Sequence, residues 1–183
     1  METLVFVVLI AAYYALKISM GGDFGSLDDP CHRDRRRYKE GLDLLRLRNY
    51  EGAFSYFEQA LVKHPQSALA LASRGRCHLQ LGNPYAALAD CSRALAFQHQ
   101  LPEAYLTYGQ ALYELGEYPA ALVQLDKAVW YNREDPAARR WRGQTHWQLG
   151  QRAKGQADWQ KALELGDEDA NYLLRRAGLV SEH

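Results

Sequence analysis

The sequence predicts an all-α protein, a solenoid of four helical hairpins closed by a last helix. Three columns of small residues carry that prediction. Gly41, Gly75, Gly109 and Gly143 recur every 34 residues. Ala60, Ala94, Ala128 and Ala162 keep the same period, followed in turn by Leu61, Leu95, Val129 and Leu163. Ala53, Ala87 and Ala121 keep it too, with Gly155 in the fourth place. Three independent columns on one period mark repeated two-helix units, each too small to bury its apolar face alone.

Taken from the amino end, the first element is residues 1–20. Thr3 to Leu16 carries no charge, and Lys17 is followed by Ile18, Ser19 and Met20. The uncharged run is shorter than the roughly 20 residues a spanning helix needs. The stem of Lys17 can reach headgroups, which makes Thr3–Met20 a short but adequate span. Glu2 at the amino end, Tyr13 and Tyr14 at the far end and no Ala-x-Ala site argue for an uncleaved anchor. A cleaved signal peptide and a helix packed within a larger complex are the rival readings. Lys17, Arg33, Arg35, Arg36 and Arg37 all follow the span. The expected orientation puts the amino terminus outside and the remainder in the cytoplasm or an equivalent stroma or matrix. Residues 21–33 read as a flexible linker, Gly21 to Pro30 holding three glycines and three aspartates.

The repeats follow as 34–67, 68–101, 102–135 and 136–169. Phe54, Phe57 and Leu61 stand at i, i+3 and i+7, the stripe of an amphipathic helix. The Leu-Gly pairs 81–82, 115–116 and 149–150 supply glycine where a helix stops in a left-handed cap. In the first unit Asn49, after Arg48, is expected to take that role. Pro84, Pro119 and Pro136 fall at helix starts or turns. Residues 170–183 are read as capping helix and tail. Within Glu168–Gly178, Tyr172, Leu173 and Ala177 are expected inward, Arg175 and Arg176 outward, with Gly178 ending the helix.

This period and its columns resemble the tetratricopeptide repeat family. In the third unit Tyr105, Tyr108, Gly109 and Leu112 fill the helix A positions, and Ala121, Leu125 and Ala128 those of helix B. The first unit ends on Phe57, Ala60 and Pro65, a close match. Arg37, Cys91 and Trp159 depart from the usual aromatics, and Arg152 stands where the third unit has Tyr118. The resemblance implies a right-handed superhelix whose A helices line a groove for a peptide or partner helix.

Carried over position by position, it implies a groove of Arg35, Tyr38, Leu42 and Arg46 from the first unit, with Arg76 and Gln80 from the second. The third adds Gln110, Tyr113 and Glu114, and the fourth Arg140, Gln144 and Trp147. Tyr, Trp and Arg anchor most of the energy in contact surfaces. Chaperone-binding members grip a carboxyl-terminal tail with a Lys and an Asn where this chain has Tyr38 and Leu42, so the resemblance does not extend to that clamp.

Composition narrows the classes further. Lys plus Arg equals Asp plus Glu at 22 each, which lacks the footprint of a nucleic-acid binder. Cys31, Cys77 and Cys91 are odd in number and form no CxxC, so neither a disulfide framework nor a zinc site is expected. No phosphate loop, dinucleotide fingerprint, zinc-protease motif or nucleophile elbow is present. The histidines are scattered, and Cys31-His32, Asp28-Asp29 and Glu168-Asp169 read as solvent-facing residues. The basic run His32–Arg37 reads as a solvated turn and topology signal, with lipid headgroups as the alternative. The expectation is a membrane-tethered adaptor or assembly factor that binds protein partners, with no cofactor, metal or small-molecule substrate and no catalysis. A stable accessory subunit of a membrane complex and a secreted binding module are the alternatives.

Overall fold

The computed structural model describes residues 30–179. The expected anchor and most of the linker lie outside the described residues. The chain divides into two units, one ending at Arg37 and one starting at Tyr38. In the first, helix α1 spans Pro30–Arg37 and so begins inside the stretch expected as linker. Its last turn holds Arg35, Arg36 and Arg37, which suit the negative end of a helix dipole. Arg37 pairs with Asp34 at 3.2 Å.

The second unit is helical throughout its described length: α2 Lys39–Arg46, α3 Tyr50–Lys63, α4 Ala68–Gln80, α5 Pro84–Phe97, α6 Pro102–Glu114, α7 Tyr118–Tyr131, α8 Pro136–Gln148, α9 Arg152–Glu164 and α10 Glu168–Arg176. Among the described residues no strand occurs, and no helix is long and apolar enough to cross a membrane. Each helix packs on its sequence neighbours. The A helices α2, α4, α6 and α8 also touch in succession, as a solenoid requires.

Within each hairpin the glycine of helix A sits under a wedge from helix B. A Cβ on Gly109 would lie 2.6 Å from Leu125 Cγ, and one on Gly143 2.6 Å from the Trp159 ring. The matching wedges are Phe57 at Gly41 and Cys91 at Gly75. Trp159 is the largest wedge, and there helix B gives up its own Cβ: a Cβ on Gly155 would meet Gly143 O at 2.8 Å. The Trp159 indole donates to Arg140 O at 3.2 Å. Gly155 in place of alanine thus lets two backbones meet beside a tryptophan.

Two buried ion pairs bind hairpins two and four. Arg74 donates twice to Asp90, at 2.7 Å each. Arg142 repeats the geometry on Asp158 at 2.8 and 2.6 Å, and reaches back to Asp126 on the preceding hairpin at 3.1 Å. Asp90 and Asp158 are only 4% and 6% exposed, and bidentate pairing offsets their desolvation. His78 and His146 stand 3.9 Å from the same two carboxylates. Cys77 and Cys91 are fully buried free thiols. Burial pushes the Cys77 thiol up to about 12 and raises Cys91 as well.

Two expectations are corrected. In the first hairpin the left-handed cap falls on Arg48 (φ 58°), not Asn49, and Asn49 caps α3 by accepting from Gly52 N at 3.0 Å. The 34-residue period itself aligns Arg48 with Gly82, and the same backbone bonds form around both, from Asn49 N to Leu44 O and from Asn83 N to His78 O. In the last helix Tyr172 is 63% exposed, while Leu174 and Ala170 are buried. α10 starts at Glu168, behind the N-cap Asp167, and that start turns Leu174 rather than Tyr172 toward α9.

Candidate functional site

The A helices present the polar and aromatic side chains that the hairpin cores do not use. Between α2, α4, α6 and α8 they enclose a groove of about 620 Å³. Leu42, Leu106 and Gln110 line it, together with the basic and amide side chains Arg46, Arg76, Gln80 and Arg140 and the acidic side chains Glu103, Asp135 and Asp169. A second, smaller cavity of about 240 Å³ lies where α8 and α9 meet α10, lined by Tyr113, Gln144, Trp147, Trp159, Leu173 and Arg176 among others.

The structure therefore gathers Leu42, Arg46, Arg76, Gln80, Gln110 and Arg140 into the larger groove. It places Tyr113, Gln144 and Trp147 in the smaller cavity. Glu114 is exposed at the end of α6 and lines neither. Arg35 is exposed on α1, in the other unit. Tyr38 is a correction. It is 2% exposed, with its ring edge-on to Phe57 at 6.2 Å. The cause is local: Tyr38 (φ −103°, ψ 21°) is a non-helical residue ahead of α2, so a face counted along one continuous helix loses its phase there.

The groove residues are not equally available. Arg140 donates to Asp167 at 2.9 Å and lies 3.4 Å from Asp169, so it ties α8 to α10. Arg46 pairs with Asp43 on its own helix. Arg76 is exposed. Tyr113 sits among rings, 5.2 Å from Tyr118 and 5.4 Å from Trp141, and accepts a bond from Gln148 at 3.3 Å.

Asp135, Trp141, Asp169, Arg48 and Tyr50 also line the groove and were not expected there. Asp135 caps α8, accepting from Ala137 N at 2.9 Å and Ala138 N at 3.3 Å. Burial raises its carboxyl, against the pull of those two N–H groups. An Asp before Pro136 is a readable N-cap signal, but a cap position alone does not say that the carboxylate faces a groove. Among the described residues no group of three or more His, Cys, Asp or Glu is arranged to hold a metal ion.

Family models described as "Tetratricopeptide repeat" and "TPR repeat" match residues 38–104 and 109–150. No match was found among curated proteins. Among solved structures, a thermophilic TPR protein of Thermus thermophilus is 28% identical, with 73% of this chain and 74% of that one covered at a TM-score of 0.64. MamA from Desulfovibrio magneticus is 21% identical over 70% of this chain and 72% of its own, at a TM-score of 0.58. The second TPR domain of human RPAP3, solved with an HSP70 peptide, is 19% identical over 58% and 89%, at 0.52. With the 34-residue columns, the glycine-and-wedge hairpins and two family models matched along it, the chain belongs to the tetratricopeptide repeat family.

Proposed function

We propose that this protein is an adaptor or assembly factor that holds a peptide or helix of a protein partner in the groove of its A helices. The carrying observation is the groove of about 620 Å³, which offers Leu42 and Leu106 as apolar contacts beside arginines and amides for orientation. Two solved neighbours, the first TPR of Spaghetti (RPAP3) and the second of human RPAP3, hold HSP90 and HSP70 peptides. Those partners do not transfer, because Tyr38 is core and Leu42 offers no charge for a chain-terminal carboxylate. The apolar run Thr3–Leu16 supports a membrane tether, with the repeats in the cytoplasm or its equivalent. The reading is of a binding protein, not a catalyst.

The test is affinity purification of the full chain from gently solubilised membranes, beside a variant carrying Arg76→Ala and Gln110→Ala. Both side chains lie outside the buried core, so the variant keeps its helix content by circular dichroism. A partner lost with the variant supports the groove, and a partner retained at full yield excludes it. Release of the protein by alkaline carbonate excludes the tether independently of the groove.

A further inference from the structure

The cavity beside the capping helix is chemically unlike the main groove. Trp147 and Trp159, at 5.0 Å between ring centroids, line it together with Leu173 of α10. No carboxylate lines it. One cation lines it instead, and a second stands over one of its rings. Arg176 is part of the lining, and the Arg152 guanidinium lies 5.1 Å from the Trp147 ring centroid. Among the described residues neither arginine forms an ion pair, although Arg74, Arg140 and Arg142 all do.

We infer that this cavity is a specificity pocket for a partner segment in which one aromatic or branched apolar side chain is flanked by carboxylates. The side chain enters against Trp147 and Trp159, and the flanking carboxylates meet Arg176 in the lining and Arg152 over the Trp147 ring. Charge complementarity selects the acidic segment, because burying a basic one beside two unpaired guanidinium groups carries a like-charge penalty. The inference rests on the proposed protein-binding role and adds the chemistry of the residue that is read. It also gives α10 a part in recognition beyond closing the solenoid.

The experiment uses the full chain, with its tryptophan side chains labelled with ¹⁵N for NMR. The probe is the capped peptide Glu-Glu-Phe-Glu-Glu, with versions carrying Gln for every Glu, Lys for every Glu, or Ala for Phe. The expected result is saturable shifts of the Trp147 and Trp159 indole signals, with affinity falling by about tenfold or more for the Ala and the Gln versions. Arg176 is exposed on α10, so Arg176→Glu leaves the fold intact and should invert the preference toward the Lys version. Equal binding of the acidic and basic peptides overturns the inference, as does an unchanged preference in Arg176→Glu. Shifts confined to Trp141, in the larger groove, overturn it while leaving the adaptor reading in place. No shift at any tryptophan overturns it too, and the adaptor reading then stands or falls on the partner purification alone.

Discussion

At the scale of single residues, the four helix A glycines look equivalent in sequence but meet different neighbours. At Gly143 an added Cβ would press on the Trp159 ring at 2.6 Å and on Gly155 O at 2.9 Å, neither of which can yield. At Gly75 the contact nearest the new atom is Cys91 Sγ at 3.0 Å, with Ala87 O at 3.3 Å. We expect Gly143→Ala to cost about 1–3 kcal/mol and Gly75→Ala distinctly less, read by urea denaturation. The reverse order would show that the tryptophan hairpin is not the tighter one.

His146 is the second case at this scale. Burial lowers its pKa, against the opposing pulls of Asp158 and of Gln151, which lies 2.9 Å from Nδ1, while Arg142 lowers it further and Asp126 raises it. The unfolded chain protonates this ring in the ordinary histidine range, whereas the fold holds it neutral to lower pH. Its contribution is therefore present above that range and lost as pH falls from about pH 7 through that range and below it. In a thermal-melt series across those values, His146→Gln should flatten the slope. An unaltered slope would assign the pH dependence to other groups.

At the scale of elements, hairpins two and four are twins. Both carry an Arg before the helix A glycine, a His four residues on, and an Asp sixteen positions after the Arg. Hairpins one and three place Glu40 with Tyr56 and Tyr108 with Gln124 at the paired positions. The pairs are visible in sequence once the period is known, yet only the fold shows that the aspartates are buried and the arginines bidentate. The capping helix depends on one residue. Asp167 accepts from Ala170 N at 3.1 Å and from Arg140 at 2.9 Å. Asp167→Ala removes the cap and leaves a mostly buried guanidinium short of its partner, so a loss of about 2 kcal/mol is expected. Glu168→Ala, on an exposed neighbour, should stay within about 0.5 kcal/mol. Equal effects in denaturant melts would show that α10 is held by Leu174 and Ala170 alone.

At the scale of the whole molecule, a linear array of hairpins has ends that touch one neighbour and middles that touch two. Opening should then be cheapest at α10 and α2 and dearest around α5 to α7. Hydrogen exchange followed by mass spectrometry reads this directly as protection graded from the centre outward. Uniform protection along the array would mean that the hairpins open as one unit.

The repeat, the helix count of each hairpin and the glycine caps at Gly82, Gly116 and Gly150 were legible in the sequence, because all are local or periodic. Spacing along a helix sets which residues share a face, and glycine at a left-handed position follows from backbone sterics alone. The groove was legible only in outline. Tyr38 dropped out of it because a break before α2 reset the helical phase. Tyr172 changed places with Leu174 because the N-cap at Asp167 set where α10 starts. Asp135 and Asp169 entered the groove because the starts of α8 and α10 both border it, and Arg140 turned from a free contact into a tether. Those outcomes depend on where residues far apart in the chain meet, and on which charge finds a partner first. Periodicity specifies the faces of helices, and only their assembly decides what stands across from each face.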